Sequence, residues 1–345
     1  MNRLQDCRLW TRRQAIWLIA GAAGGGALHA CTNRRQSPEA GTVSAALGIV
    51  TWVGLTPLHI AGEKGFFKEL GLNVEVKEFS TNSDSNAAFL AGRLEGVAPV
   101  ISEAVVLASK GANFRAVLVE DISLGADGIL ARNSLAEVKD FKGKRIALEK
   151  GSVSHFFLLQ VLKEAGLSEK DVTLVSMLPE AAASAYQTGK VEIAVTYSPF
   201  IEQANAAQKD GRIIYDSSKM PGAITDLYVF EAKFIEKHPE AVGAFVRGIF
   251  KALDFLKTNP QEAVAIAAKR LNVTPAELEA NLKGLKLPDL QANLDMLANP
   301  QSEIYLGKRM KDMAEFLKGQ NQIQQIPDLS QLLEPKFVRA IQSGA

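Results

Sequence analysis

"FLAGRLEGVAPV" (residues 89–100) and "YQTGKVEIAVTY" (residues 186–197) share one plan at an offset of 97. Phe89 aligns with Tyr186, Gly92 with Gly189, Arg93 with Lys190, Leu94 with Val191 and Glu95 with Glu192. Upstream, "KELGL" (68–72) resembles "KEAGL" (163–167) at an offset of 95. Each half therefore reads strand, loop, helix, Gly-Leu, strand, helix, Gly, strand, loop, helix. Strands alternating with helices of this length imply βαβ units and an α/β fold with mostly parallel sheets. A unit that occurs twice makes two similar lobes and not a solenoid.

Outward from this pair the punctuation agrees. "TVSAALGIV" reads as a strand, and "TPLHIAGEKGFFKELG" as one helix with Pro57 in its first turn and Gly71 at its stop. "LNVEVKEF" alternates as a strand, "SNAAFLAGRLE" is a helix, "GVAPVI" a strand and "EAVVLASKG" a helix. After the strand "TDLYVF" the chain turns helical, and "PEAVGAFVRGIFKALDFLKTN" carries apolar residues at helical spacing behind Pro239.

The N-terminus has a different character. Arg3, Arg8, Arg12 and Arg13 precede an apolar, Gly- and Ala-rich run from Ala15 to Ala30, too short to span a bilayer. A charged start, a short apolar run and small residues form an export signal, with the Sec and twin-arginine routes both open. Leu28-His29-Ala30-Cys31 resembles the bacterial lipoprotein signal, which makes residues 1–30 a signal peptide and Cys31 the lipidated first residue. Residues 31–42 then form a tether. Beyond residue 30 the chain carries 35 basic and 37 acidic residues and a single cysteine, which excludes an internal disulfide. This balance offers no electrostatic case for nucleic acid.

Ligands of open α/β sheets bind beyond the carboxyl ends of the strands. Those positions carry Thr51, Trp52 and Gly54; Ser80 to Asp84; Ser102 and Glu103; Gly151, Ser152, Ser154 and His155; and Thr196, Tyr197 and Ser198. Helix N-termini there can hold a small anion, although Ser83, Asp84, Ser102 and Ser152 are equally ordinary N-caps. The charges point the other way. Glu103, Asp121, Asp127, Glu149 and Asp226 lie near strand ends or turns, and Lys150 is the only base directly at one. An anion prefers Arg or Lys, whereas a cation uses carboxylates and an aromatic face such as Trp52 or Tyr197. No G-x-S-x-G, H-E-x-x-H, C-x-x-C, Walker A or G-x-G-x-x-G motif occurs. Neither catalysis, a metal nor a cofactor is expected.

"GLTPLHIAGEKGFFKELGLNVEVKEF", "LAGRLEGVAPV", "GKVEIAVTYSPF" and "KHPEAVGAFVRGIFKALDFLKTNP" together resemble the nitrate/sulfonate/taurine substrate-binding proteins of ABC importers, a group that also includes thiamine-pyrimidine-like members. The resemblance implies a two-lobed periplasmic-binding-protein fold of type II. Lobe 1 would be 43–130 plus 228–320, lobe 2 would be 131–227, and 321–345 would be an extension packing on lobe 1. It implies a periplasmic, lipid-anchored monomer that closes on a small solute and serves a permease and its ATPase. Trp52, Asn82, Ser102, Glu103, Ser152, Tyr197 and Asp226 would line the cleft. A sulfonate or taurine-like solute is the first expectation, and a guanidinium or amine cation the alternative. A sensor or docking subunit, or a pyrimidine-synthesis enzyme on the same fold, are the remaining readings.

Overall fold

The computed structural model describes residues 42–343. The expected signal peptide, tether and Cys31 lie outside the described residues, apart from Thr42. Among the described residues, eleven strands form two sheets: β1 (Val43–Ile49), β2 (Leu72–Glu78), β3 (Gly96–Val97), β4 (Phe114–Ser123), β5 (Asp127–Ala131), β6 (Arg145–Leu148), β7 (Thr173–Ser176), β8 (Ile193–Tyr197), β9 (Arg212–Asp216), β10 (Thr225–Glu231) and β11 (Leu285–Lys286). The first sheet has the order β11-β4-β10-β3-β1-β2 and the second β7-β6-β8-β5-β9.

The repeat is visible in both orders. β2-β1-β3 and β7-β6-β8 are the same parallel trio, and each is followed by an antiparallel neighbour, β10 or β5. The matched glycines explain why the pattern repeats. Gly92 (φ 66°) and Gly189 (φ 80°) each turn the chain out of a helix into a strand in the left-handed region. Gly71 (φ 80°) and Gly166 (φ 74°) do the same one element earlier. A side chain at such φ values is strained, so glycine recurs.

Four expectations are corrected. The sheets are mixed, not mostly parallel, because the strands on either side of each crossover between the sheets pair antiparallel. The lobe boundary at 130/131 falls inside the second sheet's own strand: β5 pairs with β8 and β9, so the chain leaves the first sheet after Ser123 and returns at Thr225. The helix expected over "TPLHIAGEKGFFKELG" is two helices, Thr56–Glu63 and Phe66–Glu69, broken where Gly65 takes φ 73°. "GVAPVI" keeps only two strand residues, since Pro99 has no N–H to donate and offers its carbonyl to the Leu227 N–H (3.0 Å).

The helix Pro239–Thr258 covers the first sheet. Its apolar stripe of Val242, Phe245, Val246 and Ile249 is buried. Phe245 stacks on Phe67 (5.3 Å) and meets Tyr228 and Phe230 edge-on. Aromatic contacts of this kind add to the burial that holds helix to sheet. At the C-terminus, Leu333 bridges Ala116 of β4, and the helix Lys336–Gln342 buries Phe337 and Val338.

Candidate functional site

The loops at the facing ends of the two sheets enclose a cavity of ≈ 20 Å³, walled by Trp52, Asn82, Glu120, Asp127, Tyr197 and Asp226 among others. Both sheets contribute, Trp52 and Asp226 from the first and Asp127 and Tyr197 from the second. The space suits a group of a few atoms.

Three acids, Glu120, Asp127 and Asp226, stand among aliphatic wall residues such as Val50, Leu55 and Val100, and a local irregularity in β4 accounts for the first of them. Asp226 pairs with Asp121 and Leu227 with Val119, so Glu120 is the extra residue of a β-bulge. A bulge re-aims side chains that a regular strand would send to opposite faces. Here two successive acids, Glu120 and Asp121, are both buried. Asp121 Oδ2 accepts from Trp52 Nε1 at 2.8 Å. Gly54 passes so close behind this pair that a Cβ would strike the Asp121 carboxylate and the indole nitrogen. Trp52 in turn meets Tyr197 edge-on, with centroids 5.7 Å apart.

Glu120, Asp127 and Asp226 are 5%, 4% and 8% exposed and face the cavity. Oδ2 of Asp127 and Oδ2 of Asp226 have no hydrogen-bond partner, and the oxygens of Glu120 make no well-formed bond although the equally orphaned Tyr228 hydroxyl lies against them. Among the described residues, no Lys or Arg pairs with any of them. Burial disfavours charge, and neighbouring acids add to it. Asp127 is pushed up to about 7 by burial, and Asp121 to about 8 by burial against the opposing pull of the Trp52 donor. Glu120 and Asp226 are held well above the carboxylate range, by burial first and then by the charge of Asp121. Among the described residues, no three His, Cys, Asp or Glu side chains converge closely enough to hold a metal ion.

Two further carboxylates cross the cleft. Glu149, just after β6, accepts from the Ser83 N–H (3.0 Å) and Oγ–H (2.8 Å) at the start of the helix Asn82–Leu90. Glu103, in the first turn of the helix Ile101–Ser109, accepts from the Val153 N–H (3.0 Å) at the start of the helix Val153–Glu164. Each lobe thus caps a helix of the other. A helix N-terminus attracts anions, and at these two the chain supplies its own.

A profile of the family described as "NMT1/THI5 like" matches residues 52–263, more than half of the chain. The chain belongs to this family. It is 28% identical over 294 residues to the taurine-binding periplasmic protein of Escherichia coli (strain K12), covering 82% of this chain and 89% of that one. It is 28% identical over 344 residues to a putative aliphatic sulfonates-binding protein of Bacillus subtilis (strain 168), covering 94% and 93%. Among solved structures, the alkanesulfonate-binding protein SsuA from Xanthomonas axonopodis pv. citri, bound to MOPS, superposes with a TM-score of 0.68 at 19% identity, over 84% of this chain and 96% of that one. The fold is the two-lobed, type II periplasmic-binding-protein fold.

Within this family member, four of the expected site residues, Trp52, Asn82, Tyr197 and Asp226, wall the cavity. Glu103 makes the cross-cleft cap, and Gly54 backs the Trp52–Asp121 pair. Ser102, Ser152, Ser154 and His155 are buried but lie off the cavity wall. Ser152 Oγ donates to the Glu149 carbonyl (2.9 Å), which shapes the loop carrying that acid. His155 faces the other way, with Nδ1 accepting from the Gly151 N–H and Nε2 3.6 Å from Glu169; burial holds its pKa down. Lys150 also reaches Glu169, outside the cleft (3.5 Å). Sequence reasoning missed Glu120. The available signal was an acidic pair directly after the apolar run "AVLV" within the strand "FRAVLVEDIS".

Proposed function

We propose that this chain is the solute-capturing component of an ABC importer, anchored by lipid at Cys31 outside the cytoplasmic membrane. It closes on a small polar solute and presents it to a permease driven by an ATPase. The reading rests on one observation: a cavity walled by both sheets and shut by reciprocal hydrogen bonds, Glu149 to Ser83 and Glu103 to Val153. Entry of anything larger than a few atoms needs these bonds to part, which is the movement a capture protein makes.

The names of the relatives support a sulfonate or taurine as solute. Taurine's ammonium suits Asp226 and Glu120, while its sulfonate meets two helix starts already capped by carboxylates. Solution scattering tests the capture reading. A solute that binds should reduce the radius of gyration, and Glu149→Ala should leave the unliganded protein more extended. An unchanged profile with a solute shown calorimetrically to bind would remove the case for closure.

A further inference from the structure

The chemistry of the cavity walls narrows the solute. Glu120, Asp127 and Asp226 are each more than nine-tenths buried and bring four unpartnered carboxylate oxygens to one small cavity. Leaving buried acceptors unpaired is unfavourable, and clustered like charges worsen it. Such a cluster persists where a ligand completes it. A ligand that binds these acids in their ionised form must be a donor, since no wall residue donates to them and the Tyr228 hydroxyl lies against Glu120 alone. It must be small, since the space is ≈ 20 Å³. It must tolerate aromatic neighbours, since Trp52 and Tyr197, in edge-on contact with each other, both line the cavity. An anion finds no base in the wall, and Glu149 and Glu103 occupy the helix starts at Ser83 and Val153; the start of the helix Ile101–Ser109, whose N-cap Val100 lines the cavity, has no side-chain cap, but the unpartnered acids beside it repel an anion.

We propose that the solute is a compact planar organic cation of the guanidinium or amidinium class, held by Glu120, Asp127 and Asp226 beside the Trp52–Tyr197 pair. The inference rests on the capture reading above. A guanidinium donates N–H groups around its whole edge, so it can satisfy oxygens arriving from three strands at once. Its faces pack on aromatic rings. A methylammonium ion donates from one end only and would leave part of the cluster unpaired.

The test is calorimetric titration of the purified full chain with guanidinium chloride below unfolding concentrations, against matched sodium chloride. Parallel arms use methylammonium, taurine, ethanesulfonate and nitrate. The expected result is saturable binding of guanidinium, at least about tenfold tighter than methylammonium, with ethanesulfonate and nitrate silent. Asp226→Asn and Glu120→Gln should each weaken guanidinium binding about 10- to 100-fold. Each should also leave the melting temperature of the unliganded protein unchanged or raised, since each removes a buried acid whose ionised form no partner compensates. Binding of taurine, ethanesulfonate or nitrate in place of guanidinium would overturn the cation assignment and leave solute capture standing. Equal affinity for methylammonium would overturn the planar class. Silence across all arms would overturn the assignment and withdraw support from capture as well. A lowered melting temperature in both variants would make the carboxylates structural, and that too sinks the proposal.

Discussion

Two groups of buried carboxylates sit within one cleft and behave differently. Glu103 and Glu149 reach across it and accept hydrogen bonds from the opposite lobe's helix starts. Glu120, Asp127 and Asp226 face the cavity with oxygens that nothing pairs. The chemistry of the group is the same, and the partner decides its role. A carboxylate against a helix N-terminus closes the lobes; one against open space waits for a donor. Asp121 stands between the groups, paired inside its own lobe to Trp52.

The sharpest way to break this arrangement is at Gly54. Gly54→Val would drive a side chain into the Asp121 carboxylate and the Trp52 indole. Overpacking and the lost hydrogen bond together should destabilise by roughly 2–4 kcal/mol, read by denaturant unfolding. Unaltered stability would mean the loop carrying Gly54 yields freely. Next comes the latch. Glu149→Ala removes the acceptor of two hydrogen bonds and should disfavour the closed form by about 1–3 kcal/mol. Trp52 is the only Trp beyond Cys31, so its fluorescence should report the opening. No spectral change would separate the latch from the Trp52 wall.

A pH series tests both groups together. Burial raises Glu103 and Asp121 to about 8 and Asp127 to about 7. In the unfolded chain these groups ionise near their ordinary carboxylate values, so between those values and about 8 the folded form holds more protons. Their contribution to the stability of the unliganded protein should therefore be fully present only below the unfolded carboxylate values, about 4, and fall as pH rises from there through about 8. A melting temperature that rises over this interval would contradict the raised values. The smallest effect belongs to Lys150→Ala. Its exposed pair with Glu169 contributes about 0–1 kcal/mol, and solute affinity should not change. A loss of affinity there would put a base back into the site.

The repeat at 89–100 and 186–197 was legible because backbone sterics write directly into residue type. Gly92, Gly189, Gly71 and Gly166 each occupy a left-handed turn that other residues enter only with strain. Trp52, Asn82, Tyr197 and Asp226 were legible for a related reason: strand ends point to the cleft, and polar or aromatic residues there are visible in one dimension. His155 and Ser154 sat at an equally suggestive strand end, but helical rotation carried them away from the cavity, and no local signal records that turn. Glu120 escaped because its orientation depends on a bulge, which is set by how β10 pairs with β4 more than a hundred residues later in the chain.

What the sequence by itself determined is the two-lobed α/β plan, since helix punctuation, strand runs and the glycine turns are local preferences repeated twice. Only the tertiary structure decided the mixed sheet pairing, the place where the chain crosses between lobes, and which carboxylates are partnered. Those depend on contacts between residues distant in sequence. Glu149 and Glu120 look alike along the chain, and only the approach of Ser83 to one and of empty space to the other gives them different work.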